Sequence, residues 1–97
     1  MMSLQAMQKA AFANKKAHGF NTTDVKFEML LMYGEINELF QGWLKDDDNN
    51  IGEELADIQI YLLGLAEILG HDLATETEKK LTINAQRVYR DGHKQDS

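Results

Sequence analysis

Carboxylates in this chain mirror each other across one short polar break. The break is "KDDDNN", Lys45 to Asn50, a turn-prone stretch between two segments of helical apolar period. Glu35 and Glu38 precede it, and Glu54 and Asp57 follow it. Glu38 lies as far before Asp46 as Glu54 lies after it, and Glu35 and Asp57 are symmetric about the same residue. Residues three apart on a helix share a side. A hairpin of two antiparallel helices therefore brings both acid pairs level.

The rest of the chain reads the same way. It has 97 residues, no Pro, only 7 Gly and 43% apolar side chains, which favours helices over a turn-rich β fold. Four helices are predicted. The first runs from about Ser3 to Ala17, with Leu4, Met7, Ala11 and Phe12 on one side, and His18-Gly19 ends it. The second is expected to be capped by Asn21, with Phe20 and Val25 at the spacing of a hydrophobic staple, and to reach about Leu44. Its apolar stripe is Met29, Met32, Tyr33, Ile36, Phe40 and Trp43. Asn50 with Glu53 reads as the start of the third, about Ile51 to Leu69, with Ile51, Leu55, Ile58, Leu62, Leu65 and Leu69 on one stripe and Gly70 as its stop. Asp72 caps the fourth, about Leu73 to Tyr89, and residues 91–97 read as a frayed tail. The expected fold is a single all-α domain over residues 1–97: a compact four-helix bundle around a central antiparallel hairpin.

Composition excludes several functions. Without Cys there is no disulfide framework and no thiolate metal site. A net charge of -6 argues against a nucleic-acid partner, which needs a basic surface. No apolar run approaches the roughly 20 residues of a membrane span, and the N-terminus lacks the pattern of a signal peptide. The expectation is a soluble cytoplasmic protein.

Four carboxylates facing one point repel unless a cation sits between them. Mg²⁺ is the natural candidate, with Mn²⁺ a substitute, because a hard ion takes oxygen ligands and bridges to phosphate. His18, His71 and His93 are too scattered to favour a softer metal. The competing reading is a solvated acidic face, since exposed acids are common. Three details weigh against it. The i+4 partners are Leu39, Gly42, Ile58 and Tyr61, so no helical ion pair accounts for the acids. Glu54 and Asp57 align with Leu65 and Ile68 on the helical wheel. Two such pairs occur on successive helices. Asp46, Asp47, Asp48, Glu76 and Glu78, by contrast, read as ordinary solvated charges.

The blocks "GEINEL" (34–39), "EELADIQIYLLGLAEILG" (53–70) and "KLTINAQRVY" (80–89) resemble, in order, the motifs of the MazG-like all-α nucleoside triphosphate pyrophosphatases. One departure is Gly34, where many members carry Glu; it bears on metal number and geometry. The resemblance implies hydrolysis of a nucleoside triphosphate to monophosphate and pyrophosphate, in nucleotide-pool house-cleaning. Glu35, Glu38, Glu54 and Asp57 would hold Mg²⁺. Glu35 and Glu38 would be catalytic, with Glu35 assigned as general base. Lys80, Asn84 and Arg87 match a Lys-x3-Asn-x2-Arg pattern and would bind the phosphates; their competing role is surface salt bridging.

Base-stacking candidates are Trp43 and Tyr61, with Phe20 and Phe27 behind them, each competing with a packing role. Lys15, Lys16 and His18 precede the second helix and could approach a ligand, or belong to a solvated terminus. The resemblance also implies a homo-oligomer, a dimer of dimers or a dimer. Three rival readings remain: a relative acting on dUTP, dCTP or phosphoribosyl-ATP, a carboxylate-bridged di-iron bundle, and a non-catalytic helical interaction module. The di-iron bundle normally needs Glu-x-x-His pairs, which are absent.

Overall fold

Asp24, not Asn21, caps the second helix. In this computed structural model, which describes residues 1–46 and 48–95 and no side chain at 48 or 49, the helices are α1 (Leu4–Ala17), α2 (Val25–Leu44), α3 (Asp48–Leu69) and α4 (Leu73–Gln86). The Asp24 carboxylate accepts from Phe27 N–H at 3.1 Å. Asn21 instead builds the turn before it, its Oδ1 accepting from Asp24 N–H at 2.9 Å and Thr23 N–H at 3.3 Å. With the cap moved, Phe20 and Val25 lose staple spacing, and Phe20 is exposed.

Gly19 (φ +70°) and Gly70 (φ +76°) close α1 and α3, as their positions in the sequence suggest. Phe20 N–H reaches back to Lys15 O at 2.8 Å and His71 N–H to Ala66 O at 2.9 Å, the Schellman pattern that needs a left-handed residue. Ser3 caps α1 through Ala6 N–H. The break is shorter than expected: α3 already begins at Asp48, so Asn50 lies inside it. The solvated-charge reading of Asp47 and of the Asp48 side chain lies outside the described residues; Asp46 is exposed.

The C-terminal end departs most. α4 stops at Gln86; Val88 and Tyr89, expected to be helical, join Arg90 in β1 (Val88–Arg90). Residues 91–95 of the expected frayed tail turn back as a hairpin with the antiparallel β2 (His93–Gln95), the tail reading of residues 96 and 97 lying outside the described residues. The turn is Asp91-Gly92, both at positive φ (52° and 80°), the type I′ geometry this dipeptide favours.

α2 packs along α3, α1 lies against α3, and α4 packs chiefly against α1. This is the expected all-α bundle with a central helical hairpin. Among the described residues the buried apolar side chains are Leu63, Leu65 and Ala66 alone, all on α3. The α2 stripe is largely exposed, with Met29, Tyr33, Ile36, Phe40 and Trp43 all open to solvent. The accessible surface is 7454 Å², against about 5,600 Å² expected of a compact monomer of this mass. The radius of gyration, 16.2 Å, likewise exceeds the ~12.5 Å expected for this length. No helix among the described residues is long and apolar enough to cross a membrane.

The buried face of α1 carries two polar residues that sequence periodicity did not single out. Gln8 clasps the α3–α4 turn: its Nε2 donates to His71 O at 2.7 Å and Glu67 Oε2 at 3.1 Å, and its Oε1 accepts from Leu73 N–H at 2.9 Å. Asp72 occupies the cap position of α4 without bonding the helix backbone, so Gln8 satisfies an orphan N–H in its place. Lys15, the second, reaches α2.

Candidate metal centre and adjoining cleft

Glu35 and Glu38 project from one face of α2 and Glu54 from the facing side of α3. Each offers a carboxylate oxygen, and the three lie within 4.8 Å of one another. Asp57 is not in this triplet. It lines the adjoining cleft, and its charge bears on Glu35 and Glu54.

The cluster is electrostatically strained. Burial, then the charge and hydrogen bond of Glu38, then Asp57 and Glu54, push Glu35 up to about 7. Glu54 is raised too, first by burial and next by Glu38. Burial and the neighbouring carboxylates likewise raise the Tyr61 phenol. Glu35 Oε2 and Glu54 Oε2 are buried with no hydrogen-bond partner. Orphaned buried oxygens on adjacent carboxylates are what a cation would satisfy. The donor set is all oxygen, which fits a hard divalent ion such as Mg²⁺ or Mn²⁺.

Beside the cluster opens a cleft of about 340 Å³. Its apolar walls are Phe20, Phe27, Leu31, Ile60 and Tyr61. Asp57 stands on one side, and Lys15, Asn21 and Glu28 form its other polar groups. Sequence reasoning missed Glu28, which has 0% exposure. The signal was present: Glu28 lies two helical turns before Glu35, on the same face. Lys15 Nζ forms an ion pair with Glu28 Oε1, and Asn21 Nδ2 donates to Glu28 Oε2 at 3.1 Å.

The other candidates scatter. Tyr61, Phe20 and Phe27 line the cleft, but Trp43 does not; it is 66% exposed and stacks on Phe40 at 6.3 Å between ring centroids. Of the basic candidates near α2, Lys15 enters the cleft. Lys16 and His18 are exposed and lie against Phe12 and Phe20 respectively. Lys80 and Asn84 are exposed on α4, and Arg87, just past its end, donates to Asn84 Oδ1 at 3.3 Å. Because α4 packs chiefly on α1, these three lie apart from the cleft.

Neither the curated proteins nor the solved structures contain a match to this chain. Residues 26–97, spanning α2, α3, α4 and the hairpin, match the profile of the MazG-like family. The sequence motifs, the helical hairpin and this match agree, and the chain belongs to the MazG-like family.

Proposed function

We propose that this protein is a divalent-metal-dependent nucleoside triphosphate pyrophosphohydrolase, cleaving a (d)NTP with water to a (d)NMP and pyrophosphate. The observation that carries the reading is the convergence of Glu35, Glu38 and Glu54, two with orphaned buried oxygens, beside an aromatic-walled cleft. Family membership supports the reaction class.

Glu35, Glu38 and Glu54 would hold the ion, with Asp57 beside them. When bound, Mg²⁺ or Mn²⁺ neutralises phosphate charge and positions the attacking water. Glu35 would accept the proton of the attacking water, the base role its place in the acid cluster suits. Tyr61, Phe20 and Phe27 receive the base.

The working form is a homo-oligomer. The surface excess over a compact monomer falls in the range of about 1,000–2,500 Å² that each protomer buries in an obligate homodimer. Lys80 and Asn84 on α4, with Arg87 beside them, sit next to the exposed Leu81, Ile83 and Val88, so an assembly covering those apolar residues can carry the cations to a neighbour's phosphates. The test is pyrophosphate release from a panel of NTPs and dNTPs, with Mg²⁺ and with EDTA, for wild type and Glu38→Ala. Metal-dependent release that the substitution abolishes supports the reading. A folded protein that releases none from any nucleotide overturns it.

A further inference from the structure

Two antiparallel stripes line the hairpin. On α2 they run Glu38, Glu35, Leu31, Glu28; on α3, Glu54, Asp57, Tyr61, Gly64, in facing order about Asp46. The metal cluster is one end of this seam, and Glu28 opposite Gly64 is the other. Gly64 has no side chain, and the stem of Lys15 takes that space: a Cβ at 64 would meet Lys15 Cδ at 3.0 Å. Lys15 comes from α1, outside the residues that match the family.

The polar groups at this end differ in what they have left to offer. Glu28 is enclosed and accepts from both Lys15 and Asn21. Asn21 is spent on Glu28 and on the backbone of Thr23 and Asp24. The Lys15 ammonium has three N–H groups and gives one to Glu28. Its remaining donors belong to the cleft it lines, 5.7 Å from the centroid of the Tyr61 ring. This end of the cleft therefore donates hydrogen bonds, and what it holds must accept them.

Resting on the pyrophosphohydrolase reading, we propose that Lys15 determines base specificity: the cleft takes a nucleobase whose edge far from the sugar carries a carbonyl oxygen, and Lys15 donates to that oxygen. Phosphates placed at Glu35, Glu38 and Glu54 leave the base to run past Asp57 and Tyr61 with its far edge at Lys15. That edge is the 4-oxo group of uracil or thymine, or the 6-oxo group of hypoxanthine or guanine. A 4-amino or 6-amino group there opposes donor to donor in a low-dielectric floor.

The test measures binding of non-hydrolysable α,β-imido analogues to the full chain with Mn²⁺, by calorimetry. Two pairs are compared: uridine with cytidine triphosphate, and inosine with adenosine triphosphate. Wild type is expected to bind the oxo member of each pair at least about tenfold more tightly. Lys15→Met with Glu28→Gln, which removes both charges and keeps an acceptor for Asn21, is expected to bring each ratio to within about twofold. Lys15→Arg, which keeps charge and donors, retains the preference. Mn²⁺ binding without nucleotide shows that the acid cluster still forms in each variant. A wild-type ratio near one overturns the proposal without any variant, as does a preference that survives loss of Lys15. Pyrophosphate release without oxo preference removes the Lys15 role alone. No nucleotide binding and no release would remove the hydrolase reading with it.

Discussion

Gly64 lies directly beneath the stem of Lys15, with a 3.0 Å approach between Lys15 Cδ and the place of a Cβ. A flexible lysine would normally yield, but this one is tied at its far end to Glu28. Gly34 and Gly52, also inside helices, face open space. The glycines should therefore respond in opposite directions. Gly34→Ala gains about 0.5–1 kcal/mol from helix propensity. Gly64→Ala loses about 1–3 kcal/mol through overpacking. Urea midpoints of the two variants decide it, and a stabilised Gly64→Ala would show that the Lys15 stem is free to move.

The ion pair itself gives a second prediction. Glu28 is wholly enclosed and Lys15 is 9% exposed. Removing one partner strands the other's charge. Lys15→Met alone is expected to cost about 3–5 kcal/mol. Lys15→Met with Glu28→Gln is expected to recover most of that, because no charge is left buried. Denaturant unfolding of the two single variants and the double variant measures the coupling; additive losses would contradict it.

Stability should fall as pH rises toward neutrality when no metal is present. Glu35 moves from an ordinary 4.5 to about 7 in the folded protein, and Glu54 moves the same way. Between those values the unfolded chain has released a proton that the folded chain keeps, so raising pH favours unfolding. Glu67, lowered by its hydrogen bond from Lys9, acts oppositely, but its contribution is lost only as pH falls below the ordinary carboxylate value. In EDTA the melting temperature is expected to drop from pH 5 to pH 7.5, and Glu35→Gln should flatten the drop. Mg²⁺ should raise the melting temperature most at the higher pH, where the carboxylates are free to bind it; saturation at a hundredfold over Kd corresponds to about 2.7 kcal/mol. A metal-free protein whose melting temperature is unchanged over this range would refute the crowding of the acids.

Much of this was legible because it rests on local spacing. The symmetry of Glu35, Glu38, Glu54 and Asp57 about Asp46 needs only helical period and a short turn, and three of the four do converge. Gly19 and Gly70 announced their helix ends for the same reason. The misses came from competition between neighbouring signals. Asn21 and Asp24 are both good caps, and Asn21 was drawn into the preceding turn. Asp91-Gly92 is a strong hairpin dipeptide in a polar segment that composition alone reads as a tail. Glu28 shares a helix face with Glu35, but that spacing does not tell a buried acid from a solvated one, because its partner Lys15 comes from another helix. The exposed α2 stripe shows the limit of periodicity, which finds an apolar face without saying what covers it.

The last prediction concerns the separation of acids and cations. Lys80, Asn84 and Arg87 are carried by α4 and its end, and α4 packs chiefly against α1, away from the Glu35–Glu54 cluster. If their role is phosphate binding, the cations reach the acids of another protomer. Glu38→Ala and Arg87→Ala should each lower metal-dependent pyrophosphate release at least ~100-fold in homogeneous samples. Mixed by unfolding and refolding together, they should recover about a quarter of wild-type activity if each site draws on two protomers, since half of the dimers are mixed and each then holds one intact site. An independent readout uses the absence of native cysteine. Gly34→Cys with Asn84→Cys, oxidised, should migrate as a covalent dimer on a denaturing gel. Recovery of activity with dimer formation places α4 against a neighbour's acids. No recovery, with any cross-link confined to the monomer, confines the site to one chain and leaves Arg87 to act within it.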